Sequence, residues 1–189
     1  DIYIIKMDEN GNEIWSKTYG GNASDMGRCI LELSDGNFAI LGNTGSFGAG
    51  NRDIYLIKID TDGEIIWTQT YGTSAYQDAF SFIEISDGGF LISGHSDILN
   101  SDLLDAYLIK TDEAGNKIWS QFYEGSDNFY DYAKDIVETE EGYFFVCGHT
   151  KIRETRKNQA LLFLIDQDGT ELWKEQIGTY GSDWANSIC

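Results

Sequence analysis

Four acidic turns in the sequence contain residue types that bind calcium in other proteins. They read DENG, DTDG, DEAG and DQDG, and they begin at Asp8, Asp60, Asp112 and Asp166. An EF-hand calcium loop needs oxygen ligands at positions 1, 3 and 5, glycine at position 6 and a bidentate glutamate at position 12. Counted from Asp60, glycine falls at position 4 and Tyr71 stands at position 12. We therefore interpret these segments as hairpin turns and expect no cofactor; calcium binding is the alternative.

A second acidic set follows polar loops and consists of Asp25, Asp78, Asp131 and Asp183. If the loops share one face of the fold, a ring of carboxylates would be able to hold a cation. Capping of loop N–H groups by each carboxylate explains the same repetition without a metal. We favour capping and predict no metal site.

Two histidines, His95 and His149, occupy equivalent positions in the segments SGHSD and CGHTK, where an earlier segment has Asn43. Catalysis would require a nucleophile or metal ligands converging on them. The sequence contains neither a G-x-S-x-G nor an H-E-x-x-H motif. We therefore interpret the histidines as polar residues at loop entries and predict that the protein is not an enzyme.

These residues belong to a repeat that runs through the chain. The turn aspartates recur at intervals of 52, 52 and 54 residues, and one glycine and one tryptophan per repeat keep those intervals. The repeated residues are Gly11, Gly63, Gly115 and Gly169, with Trp15, Trp67, Trp119 and Trp173. A tryptophan at one position of every repeat favours packing between repeats over a carbohydrate-stacking platform. Trp184 stands outside this register and is the better candidate for ligand contact.

Each repeat contains four short apolar segments bounded by Gly, Asp and Asn, which is typical of β-strands. We name them A to D outward from a central axis, with strand A after the polar loop. Four antiparallel strands in about 50 residues predict an all-β fold, a β-propeller of four-stranded blades. The repeat units are 1–52, 53–104, 105–158 and a partial 159–189, together a single propeller segment of about 3.75 blades ending in a strand at 184–189. We expect it to be part of a larger propeller; a four-bladed ring and pairing with another chain are the alternatives.

Charge and composition exclude several classes of partner. The 13 basic and 32 acidic residues give a net charge of −19, which disfavours nucleic acid and anionic membrane surfaces. The longest apolar run, ALLFLI at 160–165, is far shorter than the roughly 20 residues that span a bilayer. The three cysteines lack metal-type spacing.

Within blades, Glu32 and Glu84 are candidates to pair with Lys58 and Lys110.

The segments DIYLIKIDTDGEIIW, SDWANSI and ISDGGFLISG resemble the β-propeller repeats of secreted and surface proteins of bacteria, especially exported proteins of the Bacteroidetes group. The likeness covers essentially the whole chain. It implies an extracellular or cell-surface location and longer repeat arrays, but no particular activity. A looser likeness is to the quinoprotein tryptophan-docking repeat, which implies only that a tryptophan wedges between blades.

The sequence thus predicts a non-enzymatic binding or scaffolding propeller. Its candidate binding face combines the D–A and B–C loops and consists of Asp25, Asn43, Asp78, His95, Asp131, His149, Asp183 and Trp184. The basic loop at 151–157 would contribute to an exposed patch. The expected partner is a protein or a glycan, the remainder of its own propeller, or another copy. A carbohydrate-binding or carbohydrate-active propeller and an architectural spacer are the alternatives.

Overall fold

The computed structural model describes residues 1–97, 104–123, 128–152, 154–179 and 181–189. These residues contain fourteen strands. In chain order the strands are β1 (Ile2–Met7), β2 (Glu13–Tyr19), β3 (Asp25–Glu32), β4 (Phe38–Thr44), β5 (Asp53–Ile59), β6 (Ile65–Tyr71), β7 (Gln77–Glu84), β8 (Phe90–Ser96), β9 (Asp105–Thr111), β10 (Lys117–Tyr123), β11 (Asn128–Glu138), β12 (Phe144–Ile152), β13 (Asn158–Ile165) and β14 (Glu171–Ile177).

The strands form antiparallel sheets in chain order. Three sheets have four strands each, β3 to β6, β7 to β10 and β11 to β14, and β1 pairs with β2 in a two-stranded sheet. The all-β fold with four-stranded antiparallel blades is confirmed, at about 3.5 blades. No described segment forms a helix that is long and apolar enough to cross a membrane.

The strand predicted at 184–189 is the one element that does not form. The residues of this segment are not paired in a sheet. A strand exists only as part of a hydrogen-bonded ladder with a neighbouring strand. Instead, Ser187 Oγ and the Ile188 N–H donate hydrogen bonds to the carboxylate of Asp135 on β11.

Burial differs between middle and outer strands because each middle strand has a sheet neighbour on both edges and apolar side chains on both faces. The strand β5 is buried at six of seven positions, whereas the outer strand β6 is buried only at Tyr71. The chain divides into two compact units, 1–77 and 78–189. In the first unit Ile2, Ile40 and Ile57 belong to the core, and in the second Phe144 and Phe163 are fully buried.

The four acidic turns have the geometry of hairpin turns. In the turn before β6, Asp60 Oδ1 accepts hydrogen bonds from the N–H groups of Asp62 and Glu64, both at 2.9 Å. Gly63 has a φ of +77°, a left-handed conformation that favours glycine. The other turn glycines have φ between +76° and +81°.

Two of these turns, at 60–63 and 166–169, also contact a neighbouring blade. In the first unit, Trp15 Nε1 donates to the carbonyl oxygen of Thr61 at 3.2 Å, and Tyr19 Oη donates to that of Gly63 at 2.9 Å. In the second unit, Trp119 and Tyr123 make the same two hydrogen bonds to the turn at 166–169. The repeated tryptophan therefore packs between blades at these two positions, whereas Trp173 is 41% exposed.

Lys58 and Lys110 form ion pairs with aspartates of turns, whereas the sequence analysis named Glu32 and Glu84 as their candidate partners. Lys58 Nζ lies 2.7 Å from Asp35, and Lys110 Nζ lies 3.0 Å from Asp87. Both aspartates lie in the turn between strands A and B, which brings them beside the end of strand C. The aspartate of each pair is about half exposed, and ion pairs that solvent screens in this way contribute little to stability.

Candidate functional site

The D–A and B–C loops lie on the same face of each unit, as the sequence predicts. In the first unit the N–H of Gly45 donates a hydrogen bond to the carbonyl oxygen of Ser24 at 2.8 Å. In the second unit the N–H of Asp183 donates to the carbonyl oxygen of Asn158 at 3.0 Å. Each of these hydrogen bonds joins a D–A loop to a B–C loop. Part of the second B–C loop, 98–103, the loop segment 124–127 and position 153 of the basic loop lie outside the described residues.

The loop aspartates Asp25 and Asp183 cap their loops. Asp25 accepts hydrogen bonds from the Gly21 N–H at 2.9 Å and from Ser46 Oγ at 2.7 Å, and Asp183 accepts one from the Thr179 N–H at 2.7 Å. Burial alone would raise the pKa of Asp25, but hydrogen bonds from Thr44, Gly21 and Ser46 outweigh it and lower that pKa. The carboxylate is therefore held ionised by loop donors.

In the second repeat Gln77 caps the loop. The Thr73 N–H donates to Gln77 Oε1 at 3.2 Å, with the same four-residue spacing as in the other two caps. The acidic residue visible in the sequence is thus one position out of register. Asp131 is buried on β11, and the loop before it lies outside the described residues.

The remaining members of the predicted face have different exposures. Asn43 is buried within β4, where its side chain is 1% exposed, whereas Trp184 is 54% exposed. In the basic loop, Lys151 Nζ lies 5.4 Å from the ring centroid of Tyr130.

The two histidines lie on strands B, near the ends that lead into the B–C loops. His95 is the sixth residue of β8, and His149 is the sixth of β12. These strands belong to neighbouring blades of the second unit, and Tyr132 on β11 lies between the two imidazoles. The ring centroids of His95 and Tyr132 are 4.9 Å apart, and those of Tyr132 and His149 are 4.5 Å apart with the planes stacked.

A fourth ring and a cation complete this group, which we call the histidine–aromatic cluster: Phe80, His95, Tyr132, Lys134 and His149. The ring of Phe80 lies 5.2 Å from that of His95. Lys134 Nζ lies 3.2 Å from the centroid of Phe80 and 5.1 Å from that of Tyr132. A cation held over aromatic faces keeps its charge at a partly desolvated position.

His149 is the member of the cluster with the clearest chemical signature. Burial, and then the charge of Lys134, lower its pKa to about 4. Its Nδ1 is buried and makes no hydrogen bond with the part of the chain that the structure describes. A neutral imidazole with an unpaired ring nitrogen is able to hydrogen-bond to a ligand or to take part in group transfer.

Sequence reasoning missed Phe80, Tyr132 and Lys134, which all lie on strands A. Their approach to the histidines depends on how separate repeats pack against one another. The one available signal was the shared position of His95 and His149.

A protein-family model for arylsulfotransferase (ASST) matches residues 47–179. The match covers more than half of the chain. The chain belongs to the arylsulfotransferase family. The arylsulfotransferase match includes the whole histidine–aromatic cluster and ends before Asp183 and Trp184. A search of curated proteins found no match.

Membership of the arylsulfotransferase family corrects two predictions. The chain was predicted to be non-enzymatic and to act in binding or scaffolding, and both are wrong because the family is an enzyme family. The sequence analysis searched for short local motifs, whereas the cluster is assembled from residues up to 69 positions apart, between Phe80 and His149. The family, typically periplasmic or exported, is compatible with an exported location.

Proposed function

We propose that the protein transfers sulfuryl groups between aromatic hydroxyl compounds, and that the histidine–aromatic cluster binds the aryl group. The observation that carries this proposal is that the arylsulfotransferase match spans the cluster. Independent support comes from the chemistry of the cluster, which combines aromatic faces, a cation and a neutral imidazole.

Transfer of a sulfuryl group places negative charge on the sulfuryl oxygens and on the departing aryl oxygen. Preorganised cations and hydrogen-bond donors stabilise such developing charge best where water is excluded. Lys134 is the cation of the cluster, and it lies within 3.2 Å of the Phe80 ring centroid. Its charge offsets, locally, the strongly acidic character of the whole chain.

The aryl part of the substrate requires a flat apolar surface. Tyr132 and Phe80 supply aromatic faces, and offset or edge contacts between rings stabilise such complexes by about 0.5–1.5 kcal/mol beyond area burial. His149 Nδ1 then hydrogen-bonds to the oxygen of the phenolic substrate. Because its pKa is lowered to about 4, the imidazole is neutral and does not hold sulfate as a simple ion pair.

The test is turnover of 4-nitrophenyl sulfate with phenol as acceptor, followed by release of 4-nitrophenolate and by detection of phenyl sulfate. The variants His149→Gln and Lys134→Gln are expected to lower kcat/KM by on the order of 100-fold, the usual loss for one stabilising group. Lys117→Gln, which removes an exposed lysine of β10 in the same unit, is the matched control and should keep full activity. Absence of transfer by the folded protein, or equal activity of all variants, would overturn the proposal.

We also propose that the protein is exported and exposed at the cell surface. The acidic composition and the likeness to surface repeats support this location. Protease treatment of intact cells should remove the protein, and a purely cytosolic pool that resists such treatment would contradict the proposal.

A further inference from the structure

Asp53 is a fully buried carboxylate at the first position of β5, with 0% of the residue exposed. A buried carboxylate is costly unless it is hydrogen-bonded and neutralised by a counter-charge. Its two oxygens have different environments. Oδ2 accepts hydrogen bonds from the N–H groups of Ala49 at 2.6 Å and Gly50 at 3.1 Å.

Asp53 Oδ1 is buried and has no hydrogen-bond partner among the described residues. The adjacent side chain does not supply one, because Arg52 donates to the hydroxyl of Tyr76 and lies 5.5 Å from the centroid of that ring. Loop N–H groups satisfy one edge of the carboxylate, and the other edge is left without a donor.

Two carbonyl oxygens converge on the same place. A methyl carbon added at Gly50 would lie 2.4 Å from the carbonyl oxygen of Thr73, 2.6 Å from that of Ala75 and 3.3 Å from Asp53 Oδ1. The three oxygens therefore all lie within 3.3 Å of the position that a methyl carbon would take at Gly50. Carboxylate and carbonyl oxygens grouped within a few ångströms are the ligands of a hard cation, and Ca²⁺ accepts them at about 2.3–2.6 Å.

The neighbouring glycines let the backbone pack closely against Asp53. A side chain at Gly48 or at Gly72 would collide with the carboxylate of Asp53, since the added carbon would lie 1.8 Å and 1.7 Å from its oxygens. Backbone can thus approach the acid closely from two sides. A close approach of backbone to a ligand is one of the recurrent reasons for glycine in a loop.

We propose that Asp53 Oδ1 and the carbonyl oxygens of Thr73 and Ala75 bind a calcium ion in the first unit, with water completing the coordination. Calcium is preferred to magnesium because it tolerates irregular oxygen cages and loses its water more readily. A site with one carboxylate has low charge, so a dissociation constant of about 10⁻⁴–10⁻³ M is expected. This site is separate from the acidic turns and does not depend on the proposed sulfuryl transfer.

The repeat supplies a natural comparison. Asp53 pairs with Thr44 across β4 and β5, and Gln159 occupies the same register position opposite Thr150 in the last repeat. An amide there brings no negative charge, so the loop of Gln159 lacks the anionic ligand. The repeat position itself therefore does not require an acid for folding.

The experiment is calorimetric titration of the protein with CaCl₂ at constant ionic strength, together with thermal unfolding with and without calcium. Wild type and the control Asp62→Asn, which removes an exposed turn carboxylate and changes the charge equally, are expected to bind calcium and to unfold at higher temperature with it. Asp53→Asn is expected to bind at least tenfold more weakly and to show no calcium-dependent rise. Equal binding by Asp53→Asn, or no binding by wild type at millimolar calcium, would overturn the proposal.

A second measurement does not depend on the folding of any variant. Terbium(III) bound to wild type at this site should luminesce on excitation of tyrosine, because Tyr76 follows Ala75 directly. Calcium should displace terbium, and magnesium should displace it at least tenfold less effectively. Terbium luminescence that calcium does not quench would show that the site does not select calcium.

Discussion

His149 has a titration behaviour that its position in the sequence does not reveal. An exposed histidine in a loop would titrate near its usual pKa of 6.5, whereas His149 lies beside Tyr132 and near the charge of Lys134. Burial is the larger cause of its lowered pKa, and the lysine adds to it. The burial and the nearby Lys134 that lower this pKa are also features of the histidine–aromatic cluster, so the charge state of His149 and its proposed role have one structural origin.

The stability of the protein should fall in acid partly because of this histidine. The unfolded chain binds a proton at His149 below about pH 6.5, whereas the folded protein does so only near pH 4, so this contribution is constant above pH 6.5 and decreases as the pH falls through that window. Between about pH 7 and about pH 5, wild type should lose about 1 kcal/mol more than His149→Gln, a value reduced for partial solvent screening. Urea unfolding of both proteins at both pH values measures this difference in the free energy of unfolding. The carboxylates titrate in both proteins alike, so their contribution cancels when the two losses are subtracted. Parallel losses in the two proteins would contradict the assignment.

At the scale of the element, the acidic turn joins two strands and also receives the next blade. Its glycine turns the chain, its aspartate satisfies the turn N–H groups, and its carbonyl oxygens accept hydrogen bonds from tryptophan and tyrosine. One short segment therefore sets the hairpin and the packing of neighbouring sheets. This double role explains why the aspartate, glycine and tryptophan recur together at one interval.

Substitution of two turn glycines distinguishes the role in turning the chain from the role in packing against the neighbouring blade. Gly63 and Gly11 have φ of +77° and +80°, so alanine at either position costs about 1–2 kcal/mol of backbone strain. An alanine methyl at Gly63 would also meet the Trp15 ring at 3.0 Å, whereas nothing lies within 4 Å at Gly11. We expect Gly63→Ala to reduce the free energy of unfolding by about 1 kcal/mol more than Gly11→Ala, as is usual for overpacking. Urea titrations measure the free energy of unfolding of both variants. Equal losses would show that the contact between blades at this turn adjusts to the added methyl group without cost.

At the scale of the whole molecule, the acidic charge and the incomplete first sheet are the dominant features. The chain has a net charge of −19. The sheet of β1 and β2 lacks the two inner strands of the other sheets, and Tyr3 and Met7 are 57% and 55% exposed. The remainder of its own propeller, or another copy of the chain, is still the predicted partner that would pack against these side chains.

The net charge predicts a marked dependence on salt. Repulsion among like charges opposes the compact state, and salt screens it as the Debye length falls from about 30 Å at 0.01 M to about 8 Å at 0.15 M. The melting temperature should therefore rise by a few degrees when NaCl increases over this range in calcium-free buffer. Choline chloride should give the same rise, because the effect depends on ionic strength. A melting temperature independent of both salts would show that acidic residues are neutralised locally.

The sequence by itself determined the period, the strands and the turns. Strand propensity and the φ requirement at Gly63 depend on residues that are close in the chain, so they can be read without a structure. The repeat also made blade packing predictable for Trp15 and Trp119, since equivalent positions of stacked sheets meet. It did not predict the cap formed by Gln77, and it predicted a strand at 184–189, which forms no ladder with the described strands.

Only the tertiary structure decided which side chains meet. His95, Tyr132 and His149 come together because β8, β11 and β12 lie side by side in adjacent blades, and no local pattern encodes that approach. The lowered pKa of His149 and the unpaired oxygen of Asp53 have the same cause: burial depends on every segment that packs around a group. Repetition in the sequence fixes where a residue lies within its blade, whereas its chemistry depends on the neighbouring blade that covers it.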